Sequence, residues 1–495
     1  MKPVSDVNLI KQNESSMLIE SDSGIARELV EFFSFYVPGY KFMPAYRNKV
    51  WDGKIRLMNM QTRELPIGLL TYVMNFCSSR GYKLTCDPEL THIEKVTGDE
   101  LNKFIDSLFL PFAIRDYQFA AVKKALTVRR VIALSPTGSG KSLIIYTLMR
   151  YLLENTDSKV LIIVPTTSLV EQMAGDFVEY AEGDHSFDAS SEIHKIYSGK
   201  PKTNLSERVV ISTWQSVYKL PKTWYNQFVG IFGDEVHGFK SKSLTGIMNK
   251  AEKTIYRIGT TGTLDGTQTH KLVLEGLFGR VFNVTTTRDL QDNDTLAKLN
   301  ITCIKLTYPD EIRKDVSSRK YQDEIDFIVG YEKRNKFIRN LACDQSGNTL
   351  VLFQYVEKHG KPLYELINSK ADEGRKVFFV SGETDTSDRE AIRRITEKQK
   401  DAIIVASLGT FSTGINIRNL HNIIFASPSK SQIKVLQSIG RGLRKSDDGR
   451  DTSLFDITDN FQWKSKKNYT LSHGEERVKI YSKERFDYKV VEIGI

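Results

Sequence analysis

Three groups of residues in this 495-residue chain have types and spacings suited to phosphoryl chemistry. The first is Ser135-Pro136-Thr137-Gly138-Ser139-Gly140-Lys141-Ser142, set between the apolar runs 131–134 and 143–146. Strand, glycine-rich loop and helix in that order wrap backbone N–H groups around a polyphosphate at a helix N-terminus. Gly138 and Gly140 let the backbone come close to the phosphates. Lys141 would reach the terminal phosphates of a nucleoside triphosphate, and the Ser142 hydroxyl would hold Mg²⁺. Ser135 stands where the strict pattern has glycine. The second group is an apolar run, 228–232, that leads through Gly233 into adjacent acids, Asp234 and Glu235. Asp234 would face the metal held by Ser142, and Glu235 would polarise the water that attacks the terminal phosphate. His237 has no ligand partners nearby in sequence and reads as a hydrogen-bonding coupler or a packed histidine. The third group is Gln437-Ser438-Ile439-Gly440-Arg441-Gly442-Leu443-Arg444. Arg441 and Arg444 fall on one helical face, and a planar guanidinium suits the spread charge of a transferring phosphoryl group. Taken alone, that segment reads rather as a basic helical face.

These residues need elements that end at them. From Pro111 onward, apolar runs at 131–134, 160–164, 209–211, 228–232 and 255–258 alternate with helical stretches. A second series follows at 349–353, 377–380, 402–405, 422–426 and 454–457. Alternating β and α with near-continuous apolar strands predicts parallel sheets covered on both faces. The expected fold class is therefore α/β: two tandem parallel-sheet domains behind a small α/β N-terminal domain. The expected boundaries are 1–108, 109–288, 289–460 and 461–495, the last a C-terminal tail packing on the core. Within them, 289–347 reads as a polar linker with leading helices. In the N-terminal domain, 25–35 is amphipathic, Asp52-Gly53 predicts a hairpin turn, and 69–80 predicts a helix stopped by Gly81.

Composition narrows the class. A chain of this length exceeds one core, and 40% hydrophobic with 26% charged residues is ordinary for a globular protein. No apolar run approaches the ~20 residues of a membrane span, and residues 1–20 lack a signal-peptide core. Cys77, Cys86, Cys303 and Cys343 are scattered without metal-ligand spacing. They read as reduced thiols of a cytoplasmic protein. A net charge of +9 fits a polyanionic partner.

In order and spacing, the motifs resemble those of superfamily-two helicases and translocases over roughly residues 112–460. Ile114-Arg115-Asp116-Tyr117-Gln118 resembles the adenine-reading segment, with Arg115 and Gln118 at the base. The phosphate loop, Asp234-Glu235-Val236-His237 and the segment 437–444 resemble motifs I, II and VI. Val164-Pro165-Thr166 and Thr213-Trp214-Gln215 resemble the segments that hold nucleic-acid backbone, and so do Gln354 and Thr410 in the second domain. Thr261-Gly262-Thr263 resembles the motif that couples hydrolysis to movement. The stretch 407–416 resembles motif V, with Gly414 and Asn416 at the nucleotide, although Asn416 stands where many relatives have Asp. The resemblance implies two RecA-like domains, ATP and Mg²⁺ as cofactors, and movement on nucleic acid. The whole chain, including Trp51-Asp52-Gly53-Lys54, is similar to phage recombination helicases. That similarity implies action on Holliday junctions, stalled forks and R-loops, in the host cytoplasm, by a monomer or weak oligomer.

The N-terminal domain offers a substrate reader. Lys41, Arg47, Lys49, Lys54, Arg56 and Arg63 lie together against one acid, Asp52. Such a patch suits a phosphate backbone. The interleaved Tyr40, Phe42, Tyr46 and Trp51 are expected mainly inside, because a small domain needs its large side chains for its core. Lys464, Lys466 and Lys467 beside Trp463 form a weaker second patch. The expected function is an ATP-dependent DNA helicase or translocase acting on branched or single-stranded DNA. An RNA helicase and an ATP-gated annealing clamp remain the alternatives.

Overall fold

The computed structural model describes residues 5–239, 241–264, 267–410, 419–427, 439–440 and 449–495. The chain divides into two compact units. One comprises Met1–Ser135 with Gly140–Val284, the other Pro136–Ser139 with Thr285–Ile495.

The larger sheet of the first unit has seven parallel strands. Their order is Val281–Asn283, Arg130–Leu134, Tyr256–Thr261, Phe228–Asp234, Lys159–Val164, Val209–Thr213 and Ile193–Ile196. Side chains alternate across a strand, and the interior strand Lys159–Val164 uses both faces. Val160, Ile162 and Val164 pack with Ile144, Leu148 and Phe177 on one side. Leu161 and Ile163 pack with Ile247, Leu274 and Phe278 on the other. Both faces are thus covered, as the near-continuous apolar runs require.

Residues 6–87 build a separate four-stranded sheet, ordered Glu64–Pro66, Ser16–Ser21, Val7–Lys11 and Leu84–Cys86. Helix Ser23–Phe32 starts where Asp22 Oδ1 accepts the Ile25 N–H at 2.8 Å. Helix Leu70–Arg80 stops at Gly81, whose φ of 73° is left-handed. This sheet docks on helix Gln268–Phe278 of the same unit, whose Leu272 joins the core of Val7, Ile19 and Leu69. Tyr72 OH donates to Glu275 Oε2 at 2.6 Å, and the buried Arg257 donates to Ser15 Oγ at 2.6 Å. Gly68 lies so close to the Glu275 carbonyl that a Cβ would collide with it.

The hairpin expected at Asp52-Gly53 does not form. Lys54–Arg56 pairs antiparallel with Ser34–Tyr36, and 37–53 is the excursion between them, holding a single turn of helix at Pro44–Arg47. Asp52 Oδ1 accepts the Lys54 N–H at 3.1 Å, an Asx turn that stands in for the two-residue loop.

The second unit carries another seven-stranded parallel sheet. Its order is Val377–Val380, Ile403–Ser407, Thr349–Phe353, Asn422–Phe425, Thr452–Asn460, Leu299–Thr307 and Tyr488–Gly494. The segment 289–347, read as a linker with helices, contains the strand Leu299–Thr307. Its alternation of apolar with Asn, Thr and Lys hid it among charged neighbours. After residue 460 the chain forms helix Tyr469–Lys483 and the edge strand Tyr488–Gly494. Buried polar groups fix this end. Arg477 Nη2 donates to Asp456 Oδ1 at 2.6 Å, while Glu324 accepts from the N–H groups of Tyr469 and Thr470 at 3.0 and 2.8 Å. Among the described residues no helix is long and apolar enough to cross a membrane.

Candidate active site

Because the strands of the first large sheet are parallel, their carboxyl ends share one edge, where open α/β sheets bind ligands. Five segments singled out in the sequence lie along it: 135–142, Pro165-Thr166, 213–215, 234–237 and 261–263.

The phosphate loop leaves strand Arg130–Leu134 at Ser135, whose N–H donates to the Thr261 carbonyl at 2.9 Å. Gly138 and Gly140 take φ of 85° and 79°, which a side chain resists. Ser139 closes the turn by donating its hydroxyl to the Pro136 carbonyl at 2.7 Å. Helix Lys141–Asn155 begins directly after Gly140, so its first N–H groups face the loop. Lys141 Nζ reaches back to donate to the Ser135 carbonyl at 3.2 Å. Beneath the loop sits Gln118, buried, with Oε1 accepting the Arg115 N–H at 3.0 Å. Its Nε2 lies where a Cβ on Gly140 would be. Gln118 therefore braces the loop from below. The Arg115 side chain donates to Tyr117 OH at 3.1 Å.

Asp234 ends its strand buried, its Oδ1 accepting the Thr260 hydroxyl at 2.7 Å. Burial and the adjacent Glu235 charge push its carboxyl above the ordinary range, and the Lys141 ammonium opposes them. Glu235 takes a left-handed φ of 52°, uncommon without glycine and typical of backbone held for a purpose. His237 Nδ1 lies 3.3 Å from Glu235 Oε2 and 3.1 Å from Thr261 Oγ1, and Thr261 donates on to the Thr263 carbonyl at 3.0 Å. One imidazole thus links the acid of one strand end to the hydroxyl of the next. The donor set fits a magnesium nucleotide: hard oxygens on Ser142 and Asp234, the Lys141 ammonium, and a glycine-rich loop leading into a helix N-terminus.

Along the same edge, Pro165 follows strand Lys159–Val164, and Thr166 caps helix Thr167–Tyr180 by accepting the Leu169 N–H at 3.3 Å. Thr213 Oγ1 lies 3.0 Å from Ser216 Oγ; Trp214 is half-buried and Gln215 exposed. In the second unit, Gln354 follows strand Thr349–Phe353 with its side chain exposed and its N–H on Ser427 Oγ at 3.2 Å. Thr410 is buried, its Oγ1 accepting from Ser407 Oγ at 2.7 Å. Gly414, Asn416, Gln437, Arg441 and Arg444 lie outside the described residues.

In the N-terminal patch Lys41, Arg47, Lys49 and Arg56 are exposed and Lys54 is half-buried. Lys54 Nζ rides 4.9 Å above the Tyr36 ring, and Arg56 pairs with Asp52. The aromatics depart from the expectation of a core position. Phe42 is 76% exposed, because the excursion 37–53 leads away from the core formed by Val7, Leu9 and Phe33. Tyr40, Tyr46 and Trp51 are only partly covered.

Two contacts at the site were missing from the sequence reading. Tyr180 OH lies 2.9 Å from the Ser142 hydroxyl, and no local signal links residues that far apart in sequence. Thr260 could have been found, since it immediately precedes Thr261 on the strand beside Asp234.

The chain is similar to known proteins along its whole length. Residues 6–87 match the family described as DNA helicase UvsW, N-terminal; residues 111–266 match type III restriction enzyme, res subunit; residues 332–446 match the helicase conserved C-terminal domain. The chain is 37% identical to the ATP-dependent DNA helicase uvsW of Enterobacteria phage T4, over 99% of this chain and 100% of that protein. It is 27% identical to the DNA 3'-5' translocase XPB2 of Sulfurisphaera tokodaii, over 69% of this chain and 82% of the relative. The crystal structure of T4 UvsW matches with a TM-score of 0.53 at 36% identity, covering 99% of each chain. A chain with two RecA-like parallel sheets, a phosphate loop beside paired acids, and this similarity along its whole length belongs to the UvsW family of ATP-dependent DNA helicases.

Proposed function

We propose that this helicase unwinds or branch-migrates branched DNA: Holliday junctions, stalled forks and R-loops, in recombination, repair and replication. What carries the reading is the edge that puts Lys141, Ser142, Asp234 and Glu235 beside Pro165, Thr166, Thr213, Trp214 and Gln215, with a cationic N-terminal patch on the same unit.

Lys141 and the loop N–H groups bind the phosphates, and Ser142 and Asp234 hold Mg²⁺, which neutralises charge on the transferring phosphate. Glu235 orients and deprotonates the attacking water, and His237 passes the state of that acid to Thr261 and Thr263. Arg115 and Gln118 set the base end, while Gly414 and Asn416 complete the nucleotide contacts. Arg441 and Arg444 supply fixed positive charge to the reaction, and the neutral amide of Gln437 adds a polar contact there. Pro165, Thr166, Thr213, Trp214, Gln215, Gln354 and Thr410 hold the DNA backbone. Lys41, Arg47, Lys49, Lys54 and Arg56 bind phosphates at the branch. The protein works in the cytoplasm of the host as a monomer or weak oligomer.

The test is ATP-driven strand displacement on a synthetic Holliday junction, a fork and an R-loop against a linear duplex with one tail. Faster processing of the three branched substrates supports the reading. Preference for the tailed linear duplex contradicts it.

A further inference from the structure

The excursion 37–53 has features that neither nucleotide binding nor phosphate contact uses. Phe42 is 76% exposed, Val50 81% and Tyr36 53%, with Met43 also open. Apolar side chains gathered on one short exposed segment mark an interaction surface. Yet the segment is braced. Tyr36 stacks on Tyr40 with centroids 4.6 Å apart, and Tyr40 meets Tyr46 edge-on at 4.7 Å. Gly53, at φ 84°, sits so tightly under the Tyr40 ring that a Cβ would collide with it. Trp51 Nε1 donates to the Lys54 carbonyl at 2.8 Å, and the Val37 N–H to the Gly53 carbonyl at 2.9 Å. The aromatic stack is thus a platform that holds Phe42 and Val50 outward.

Charge selects the partner. Residues 36–56 carry five cations and one acid, a net charge of +4, and that acid, Asp52, is paired with Arg56. The partner must offer dense negative charge beside flat apolar surface. DNA offers both where its bases are unpaired, and at a branch they meet at one point: phosphates on the outside and an unstacked base face. An apolar protein surface would not call for the cations.

We propose that the excursion 37–53 is a wedge that enters branched DNA at the point of strand separation, with the Phe42 ring stacking on the base exposed there. Val50 widens the apolar tip, and Lys41, Arg47 and Lys49 hold the flanking phosphates. The proposal rests on the reading of the protein as a branched-DNA helicase.

The test uses the full chain, as parent, Phe42→Ala, Phe42→Trp and Val50→Ser, with two readouts. One is the ATPase rate with saturating single-stranded DNA; the other is strand displacement on a fork. Phe42 contributes little to the core, so truncating it spares folding. Phe42→Ala is expected to keep the ATPase rate while fork displacement falls about tenfold. Val50→Ser is expected to lower displacement less, and Phe42→Trp to keep it near the parent. A fluorescent adenine analogue at the branch should change emission with the parent and not with Phe42→Ala. Equal displacement by Phe42→Ala and parent overturns the wedge, as does parallel loss of both rates or a Phe42→Trp variant as poor as Phe42→Ala. If the parent itself shows no stimulation by DNA, the helicase reading beneath the wedge fails instead.

Discussion

At the scale of single residues, Lys141, Asp234 and Glu235 lie along one sheet edge, and the proposed mechanism gives each a separate task. Lys141 stands between the loop carbonyl of Ser135 and the field of Asp234. Lys141→Ala is expected to abolish ATP turnover, measured as phosphate release at saturating DNA; retained turnover would remove the loop from the mechanism. Glu235→Gln keeps shape and loses the base, so it should bind nucleotide and DNA while hydrolysis slows by about 10²-fold or more. Normal hydrolysis by that variant would place the base elsewhere. Most of these residues were legible, because phosphate loops and paired acids sit at short fixed spacings in sequence. The support behind them was less so. Gln118 was expected at the adenine, and its amide also lies against Gly140 beneath the loop, a contact the sequence does not announce. Tyr180 meets Ser142 only through the packing of one helix on another.

At the scale of elements, the N-terminal sheet is fastened to helix Gln268–Phe278, which follows the Thr261–Thr263 segment in the chain. Gly68 makes the close approach, so Gly68→Val should destabilise the protein by about 1–3 kcal/mol through overpacking, read as a lowered Tm. An unchanged Tm would mean that the docking yields at no cost. In the second unit, on the helical turn Val356–Gly360, burial and then the neighbouring Arg334 charge hold His359 far below its ordinary 6.5, at about 3, with Nδ1 3.0 Å from Ser427 Oγ. The folded protein cannot take the proton that the unfolded chain accepts. His359 therefore supports stability fully above pH 6.5, and this is lost as pH falls toward about 3, at about 1.4 kcal/mol per pH unit. Acid unfolding of His359→Gln should lack that part of the slope, and an identical slope would contradict the assignment. Strands buried on both faces, such as Lys159–Val164, were plain in the sequence, since long branched apolar runs have few other uses. Leu299–Thr307 and Tyr488–Gly494 were hidden, because an alternating or exposed strand near a sheet edge is defined by its pairing rather than by its hydrophobicity. Asp52-Gly53 misled for a related reason: the strand that pairs with Lys54–Arg56 lies beyond the excursion, not beside the turn.

At the scale of the whole molecule, two seven-stranded parallel sheets follow an N-terminal domain whose excursion 37–53 is basic. On the proposed function the N-terminal cations act through phosphates, and each phosphate neutralised releases counterions. The double variant Lys54→Ala, Arg56→Ala should weaken binding to a Holliday junction and lower the slope of log affinity against log salt by about 2. An unchanged slope would place the DNA elsewhere on the protein. The tandem architecture was legible from the two series of apolar runs; the exposure of Phe42 was not, since a small domain is expected to keep its aromatics inside. The most direct measurement is the steady-state ATPase rate on matched single-stranded DNA, branched DNA, duplex DNA and RNA, with Lys141→Ala as control. Strong stimulation by branched and single-stranded DNA over RNA, absent in the control, is the predicted result. Equal or stronger stimulation by RNA, or none by any polymer, would contradict a DNA-driven motor.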